Sequence, residues 1–150
     1  MGRIQVSKAK VLVALRDADH VDGLMRLAWE LSKGMDADVA ALNVVEVGPG
    51  LPLDAESDVL DQSGKEALAR AQKSAKQNSR GLSTRLVRAR DAGHAIVHEV
   101  EEGRDDLLIL GYHHKPALEE VILGSTVQYV ARHAPCRMIV EVLPPRNNQP

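Results

Sequence analysis

Short apolar runs alternate with helical patterns along the whole chain, and no other feature so limits the folds open to it. Val11 to Leu15, Val39 to Val47, Thr84 to Ala89, Leu107 to Leu110 and Met138 to Val142 each read as a strand. A run that is apolar throughout, such as Val11 to Leu15, marks a strand covered on both faces. Between the runs, apolar residues recur at helical spacing. Val21, Leu24, Met25, Ala28 and Leu31 form the first such segment, with Asp19 expected to cap its start and Gly34 near its end. A long helix is expected from Glu56 to Ser79, with Leu60, Ala67, Ala71 and Ala75 on its buried stripe and Gly81 just beyond. Ala92, Ile96, Val97 and Val100 give a short helix ended by Gly103, and a fourth helix opens at Gly124-Ser125-Thr126 and stops at Pro135. The order βαβαβαβαβ predicts an open, doubly wound α/β domain: a five-stranded parallel sheet with helices on both faces.

The chain has 150 residues, which suits one domain. We expect it to span 10–143, after a flexible segment 1–9 and before a disordered tail 144–150, whose sequence PPRNNQP has nothing to bury. The formal charge of −2 gives no global drive toward nucleic acid or an anionic membrane. There is no Phe, and Trp29, Tyr112 and Tyr129 are the only aromatic residues, too few to stack a single strand of bases. Cys136 is the single cysteine, so no intrachain disulfide forms, and a reducing cytoplasmic setting is expected. No apolar run approaches the roughly 20 residues of a membrane helix, and no signal-peptide core is present at the start.

The last third carries the chemistry. A strand ending on Gly111, a polar loop, and Gly124-Ser125-Thr126 opening a helix together make an anion site. The N–H groups of a helix's first turn point outward, and the helix dipole favours negative charge there. Nine residues separate His114 from Gly124. This layout resembles the nucleotide loop of the universal stress protein family: Gly, two residues, Gly, nine residues, Gly, then Ser or Thr. ALNVVEV, Ala41 to Val47, also looks like that family's second strand. The resemblance covers Lys10 to Leu143 and is most specific in LGSTVQYVARHAPCRMIVEV.

The resemblance implies the adenine nucleotide alpha-hydrolase-like fold, strand order 3-2-1-4-5, with a crevice between strands one and four. It implies that Ala14, Leu15 and Arg16 lie where the family holds adenine and ribose. Val44 would pack on the base, and Leu110 with Gly111 would form the floor. His113, His114, Gly124, Ser125 and Thr126 take the phosphate-facing positions. Two residues depart from the family: Arg16 stands where nucleotide-binding members have aspartate, and His114 stands where they have the second glycine. A glycine there admits close backbone approach, whereas an imidazole fills space that phosphates need. Both changes, with Lys115 alongside, add positive charge. The pocket is therefore either retuned for a smaller or differently shaped anion or is a decayed nucleotide site.

The expectation is a non-catalytic binding and regulatory module of the stress response that binds ATP weakly or not at all. No cofactor is assigned beyond ATP or another phosphate-bearing anion. The related pyrophosphatases carry a Ser-Gly-Gly loop after the first strand, where this chain reads LRDADH. Two alternatives stand: an ATP-binding, weakly hydrolysing member, and a cytoplasmic regulatory domain of a membrane transporter. A homodimer is expected through the last strand, Cys136 to Leu143, because an apolar edge strand seeks a partner and family members commonly pair it across a two-fold axis. Glu141 should then lie off the buried face.

Weaker signals have plainer explanations. His94 and His98 share a helical face, yet no third ligand stands at a metal-site spacing. His133 sits in a last helical turn, where the dipole favours a cation. Arg70, Lys73, Lys76, Arg80, Arg85, Arg88 and Arg90 form a basic stretch without aromatic interleaving, better read as protection of an edge strand than as a nucleic-acid surface. No nucleic-acid partner and no membrane insertion are expected.

Overall fold

The computed structural model describes residues 8–54, 58–113 and 123–143. Strands β1 (Lys10–Ala14), β2 (Asp38–Glu46), β3 (Ser83–Ala89), β4 (Leu107–His113) and β5 (Arg137–Leu143) form one sheet in the order β3-β2-β1-β4-β5, every pairing parallel. Helices α1 (Val21–Met35), α2 (Asp58–Gln77), α3 (Ala92–Gly103) and α4 (Ser125–His133) connect them. This is the predicted architecture and strand order.

Alternation along the strands sends side chains to two cores. Val11, Val13 and Ile109 meet Leu24, Met25, Ala28 and Trp29 of α1 and Ala67 and Ala71 of α2. Leu12, Leu42, Leu108 and Leu110 meet Ile96, Val97 and Val100 of α3 and Val130 of α4. With no Phe available, aliphatic side chains fill both layers. Among the described residues no helix is long and apolar enough to cross a membrane.

Several local expectations need correction. Asp19 does not cap α1. A 3-10 turn, Ala18–His20, precedes that helix, and its cap is Asp17, whose carboxylate accepts the Asp19 N–H at 3.1 Å. The expected start of α2 at Glu56 lies outside the described residues; the helix is described from Asp58 and ends at Gln77 rather than Ser79, and Leu60 is exposed. Ala67, Ala71 and Ala75 are buried as expected, and the stripe continues through Gly64 to Asp61 in place of Leu60, because Asp61 turns inward to pair with Arg88. Gly111 lies inside β4 rather than after it, since pairing with β5 continues to His113↔Leu143. Glu141 is half-buried with Oε2 enclosed, because the period of two puts it on the same face as Ile139, which packs on the α1 core. The segments 1–7 and 144–150, expected to be flexible, lie outside the described residues.

Candidate functional site

From β1 the chain passes through α1 to β2 and on to β3 on one side, and α3 then carries it back across to β4 on the other side of β1. Strand order therefore reverses between β1 and β4, and a crevice opens beyond their carboxyl ends. A cavity of about 510 Å³ lies there. Ala14, Leu15 and Arg16 line it from the end of β1, Val44 from β2, and Leu110, Gly111 and His113 from β4. Gly124, Ser125 and Thr126 close it from the start of α4. His114 and Lys115 lie outside the described residues; every other residue singled out for the site meets at this one cavity.

Helix starts decide where a negative charge can sit. At α3, Asp91 is the cap and accepts the His94 N–H at 2.9 Å, while Glu46 accepts the Ala92 N–H at 3.0 Å. Those bonds from the His94 amide, and then from its ring, hold the Asp91 carboxyl below its usual range. The chain thus supplies its own two carboxylates to that helix end. At α4 the cap is Gly124, in extended conformation (φ −64°, ψ 165°), and it offers no side-chain oxygen. Among the described residues no side chain caps the first turn of α4, where the amides of Ser125 and Thr126 stand. Exposed Arg16 lines the same cavity from β1.

Asn43 fixes the β1 side of the cavity and was not singled out from sequence. It is 2% exposed, and its Nδ2 donates to the carbonyls of Leu15 at 2.8 Å and Arg16 at 3.0 Å. Gly64 of α2 makes room for it: a Cβ there would lie 2.2 Å from Asn43 Oδ1. Sequence did hold a signal, since an amide inside the apolar run ALNVVEV must find partners when buried. Glu46, at the end of the same strand, was also missed. So was His20, whose ring contacts that of His113 with centroids 3.8 Å apart. Nothing in the sequence brought those two together.

The weaker signals resolve into structure. Exposed His98 and His94 do not gather ligands; His94 pairs with Asp91 and lies on Tyr129, which stacks on His133 in turn. Among the described residues no three His, Cys, Asp or Glu side chains are placed to hold a metal. Most arginines of the basic stretch bind within the chain. Arg88 pairs with buried Asp61, Arg85 with Glu99 at 2.7 Å, and Arg70 with Asp22 at 3.6 Å. Arg90 donates to the Val47 and Gly48 carbonyls, and Arg80 lies over Trp29 while donating to Ser32 Oγ and Ala37 O. A second cavity, about 540 Å³, opens at the opposite end of the strands. Two of its cations are already engaged, Lys8 with Asp36 and Asp38 and Arg80 as just described, so the crevice at the carboxyl ends is the better candidate.

Comparison with known proteins agrees with this geometry. The model of the universal stress protein family matches residues 9–141. A universal stress protein of Methanocaldococcus jannaschii is 32% identical over 134 residues, covering 85% of this chain and 74% of that protein. The solved structure of a universal stress protein from Archaeoglobus fulgidus superposes with a TM-score of 0.71 at 19% identity, covering 88% of this chain and 92% of that one. A structure of the Archaeoglobus fulgidus protein in complex with dAMP gives 0.69 at 18% identity, with 88% and 96% covered. By sequence and by fold, this chain belongs to the universal stress protein family.

Proposed function

We propose that the crevice between β1 and β4 holds the phosphate of a small anionic ligand, and that the chain acts as a non-catalytic binding and regulatory module in the cytoplasmic stress response. The start of α4 carries this reading. Among the helix starts that border the cavity, α3 is filled by Asp91 and Glu46, while Gly124 leaves the amides of Ser125 and Thr126 without a side-chain cap. The dAMP complex of the Archaeoglobus fulgidus relative supports a nucleotide or related phosphate ester as the ligand class.

ATP itself binds weakly in this reading. A helix start contributes about 0.3–1 kcal/mol toward a nearby negative charge, too little for tight binding alone. Arg16 then supplies much of the remaining attraction, at a position where the family pattern has an acid, and His114 takes the place of a glycine. Titration calorimetry tests this: ATP should bind the parent weakly or not at all, and Arg16→Asp with His114→Gly should recover affinity. Tight ATP binding to the parent would overturn it and favour an ordinary ATP-binding member.

The same reading includes a homodimer through β5. That strand is an outer edge of the sheet, Val142 is 48% exposed, and Glu141 Oε2 is enclosed with no hydrogen-bond partner among the described residues. Sedimentation should give a dimer that Val140→Pro disrupts, since proline cannot donate a ladder hydrogen bond and breaks a strand's regular pairing. A monomeric parent at micromolar concentration contradicts the dimer.

A further inference from the structure

We propose that two copies of the chain join with Ile139 on the two-fold axis, each Glu141 lying directly opposite Arg137 of the other copy. The inference rests on the β5 dimer proposed above and names the pair of charges that fixes its register.

Strand β5 pairs with β4 on one side, and among the described residues no strand occupies its outer side. Residues two apart on a strand share a face, so Arg137, Ile139, Glu141 and Leu143 point to the same side of the sheet. Arg137 is exposed and Glu141 half-buried, and among the described residues neither forms an ion pair. They cannot pair with each other inside one chain, because four steps of strand hold them roughly 13 Å apart. Their neighbours on β4 do not help: Arg137 stands beside Leu107 and Glu141 beside Gly111. A charge on an edge strand ordinarily deters pairing. Here the acid and the base are placed symmetrically about Ile139, so the strand is complementary to a reversed copy of itself and rejects other registers.

A two-fold axis perpendicular to the sheet runs the two β5 strands antiparallel and keeps each face on its own side. Directly opposite residues must then share a face, so the axis falls at a residue rather than between two. With the axis at Ile139, position 141 of each copy meets 137 of the other, and two pairs of opposite charge form at once. With the axis at Val140, Glu141 would meet Ile139 and Arg137 would meet Leu143, setting both charges against hydrocarbon. With the axis at Glu141 the two carboxylates would meet, and with it at Met138 Arg137 would face Ile139. Only the axis at Ile139 sets acid opposite base. The same register places Val142, which is 48% exposed, opposite Cys136 of the other copy on the second face.

Sedimentation equilibrium of charge-reversed full chains tests the pairing. Arg137→Glu and Glu141→Lys each set like charges opposite one another at both symmetric positions, so each variant alone should self-associate at least about tenfold more weakly than the parent. Mixed one to one, the two variants should form a heterodimer about as tight as the parent dimer, because every acid again meets a base. A second measurement needs no charge reversal and covers the case in which either variant folds poorly. In a Cys136→Ser background, Ile139→Cys should oxidise to a disulfide-linked dimer, since Cα atoms directly opposite lie about 4.5–5.5 Å apart. Val140→Cys should not, because its nearest mate would be roughly 8 Å away. If the mixture is no tighter than either variant alone, or if Val140→Cys cross-links in place of Ile139→Cys, the dimer stands and this register fails. A parent that sediments as a monomer at micromolar concentration removes the dimer and this inference with it.

Discussion

Alanine at Gly64 sets two well-calibrated effects against each other, and the structure decides the sign. In a helix interior alanine is better than glycine by about 1 kcal/mol, so propensity alone favours Gly64→Ala. The new Cβ, however, would lie 2.2 Å from Asn43 Oδ1 and 2.9 Å from its Cγ. Asn43 is fully enclosed beneath α2 and must move, giving up its bonds to Leu15 O at 2.8 Å and Arg16 O at 3.0 Å. Two lost hydrogen bonds and an orphaned buried carbonyl cost about 2–4 kcal/mol. Gly64→Ala should therefore destabilise the protein by a net of about 1–3 kcal/mol, read as a lower urea midpoint at unchanged slope. In an Asn43→Ala background the obstruction is gone, so the same substitution should become neutral or stabilising by up to about 1 kcal/mol. The double-mutant cycle should show a coupling of roughly 2–3 kcal/mol. A stabilised Gly64→Ala single variant, or simple additivity of the two changes, would refute the claim that Gly64 exists to seat Asn43.

Two further predictions concern stability. Arg104 closes α3 in the left-handed region at φ 52°, so Arg104→Gly should stabilise by about 0.5 kcal/mol, the relief of roughly 1 kcal/mol less glycine's extra chain entropy; a lower melting temperature would contradict it. Burial raises the Asp105 carboxyl above the usual carboxylate range, with Arg85 and Lys10 opposing the shift. The folded state then holds that proton more tightly than the unfolded chain, so its contribution is most favourable below the unfolded value and is lost as pH rises through the folded one. Asp105→Asn should therefore raise stability at neutral pH, by less than about 1 kcal/mol after solvent screening, and the gain should vanish in acid. A gain independent of pH would show that the charge is not the cause.

The sheet was legible because continuous apolar runs such as Val11 to Leu15 and Leu107 to Leu110 serve only strands covered on both faces. Helix ends were less so. Glycines at 34, 81 and 103 look like stop signals, yet the left-handed residues are Asp36, Ser79 and Arg104, because tertiary packing overrides a preference worth about 1 kcal/mol. Asp61 was unreadable as a core residue, since its burial depends on Arg88 arriving from another strand. At the site, the family motif located Gly124, Ser125 and Thr126 and the strand ends opposite them. It carried no information on Asn43 and Glu46, which β2 brings to the carboxyl ends of the strands, or on His20, which the turn before α1 brings there.

Amide resonances followed while AMP, ATP or inorganic phosphate is added test the central claim most directly. The account predicts shifts concentrated at Gly124, Ser125, Thr126 and the Leu15–Arg16 peptide, stronger for a ligand whose phosphate is unencumbered than for ATP. Shifts confined to the opposite end of the sheet, around Lys8, Lys33 and Arg80, or no shifts with any of the three, would contradict it.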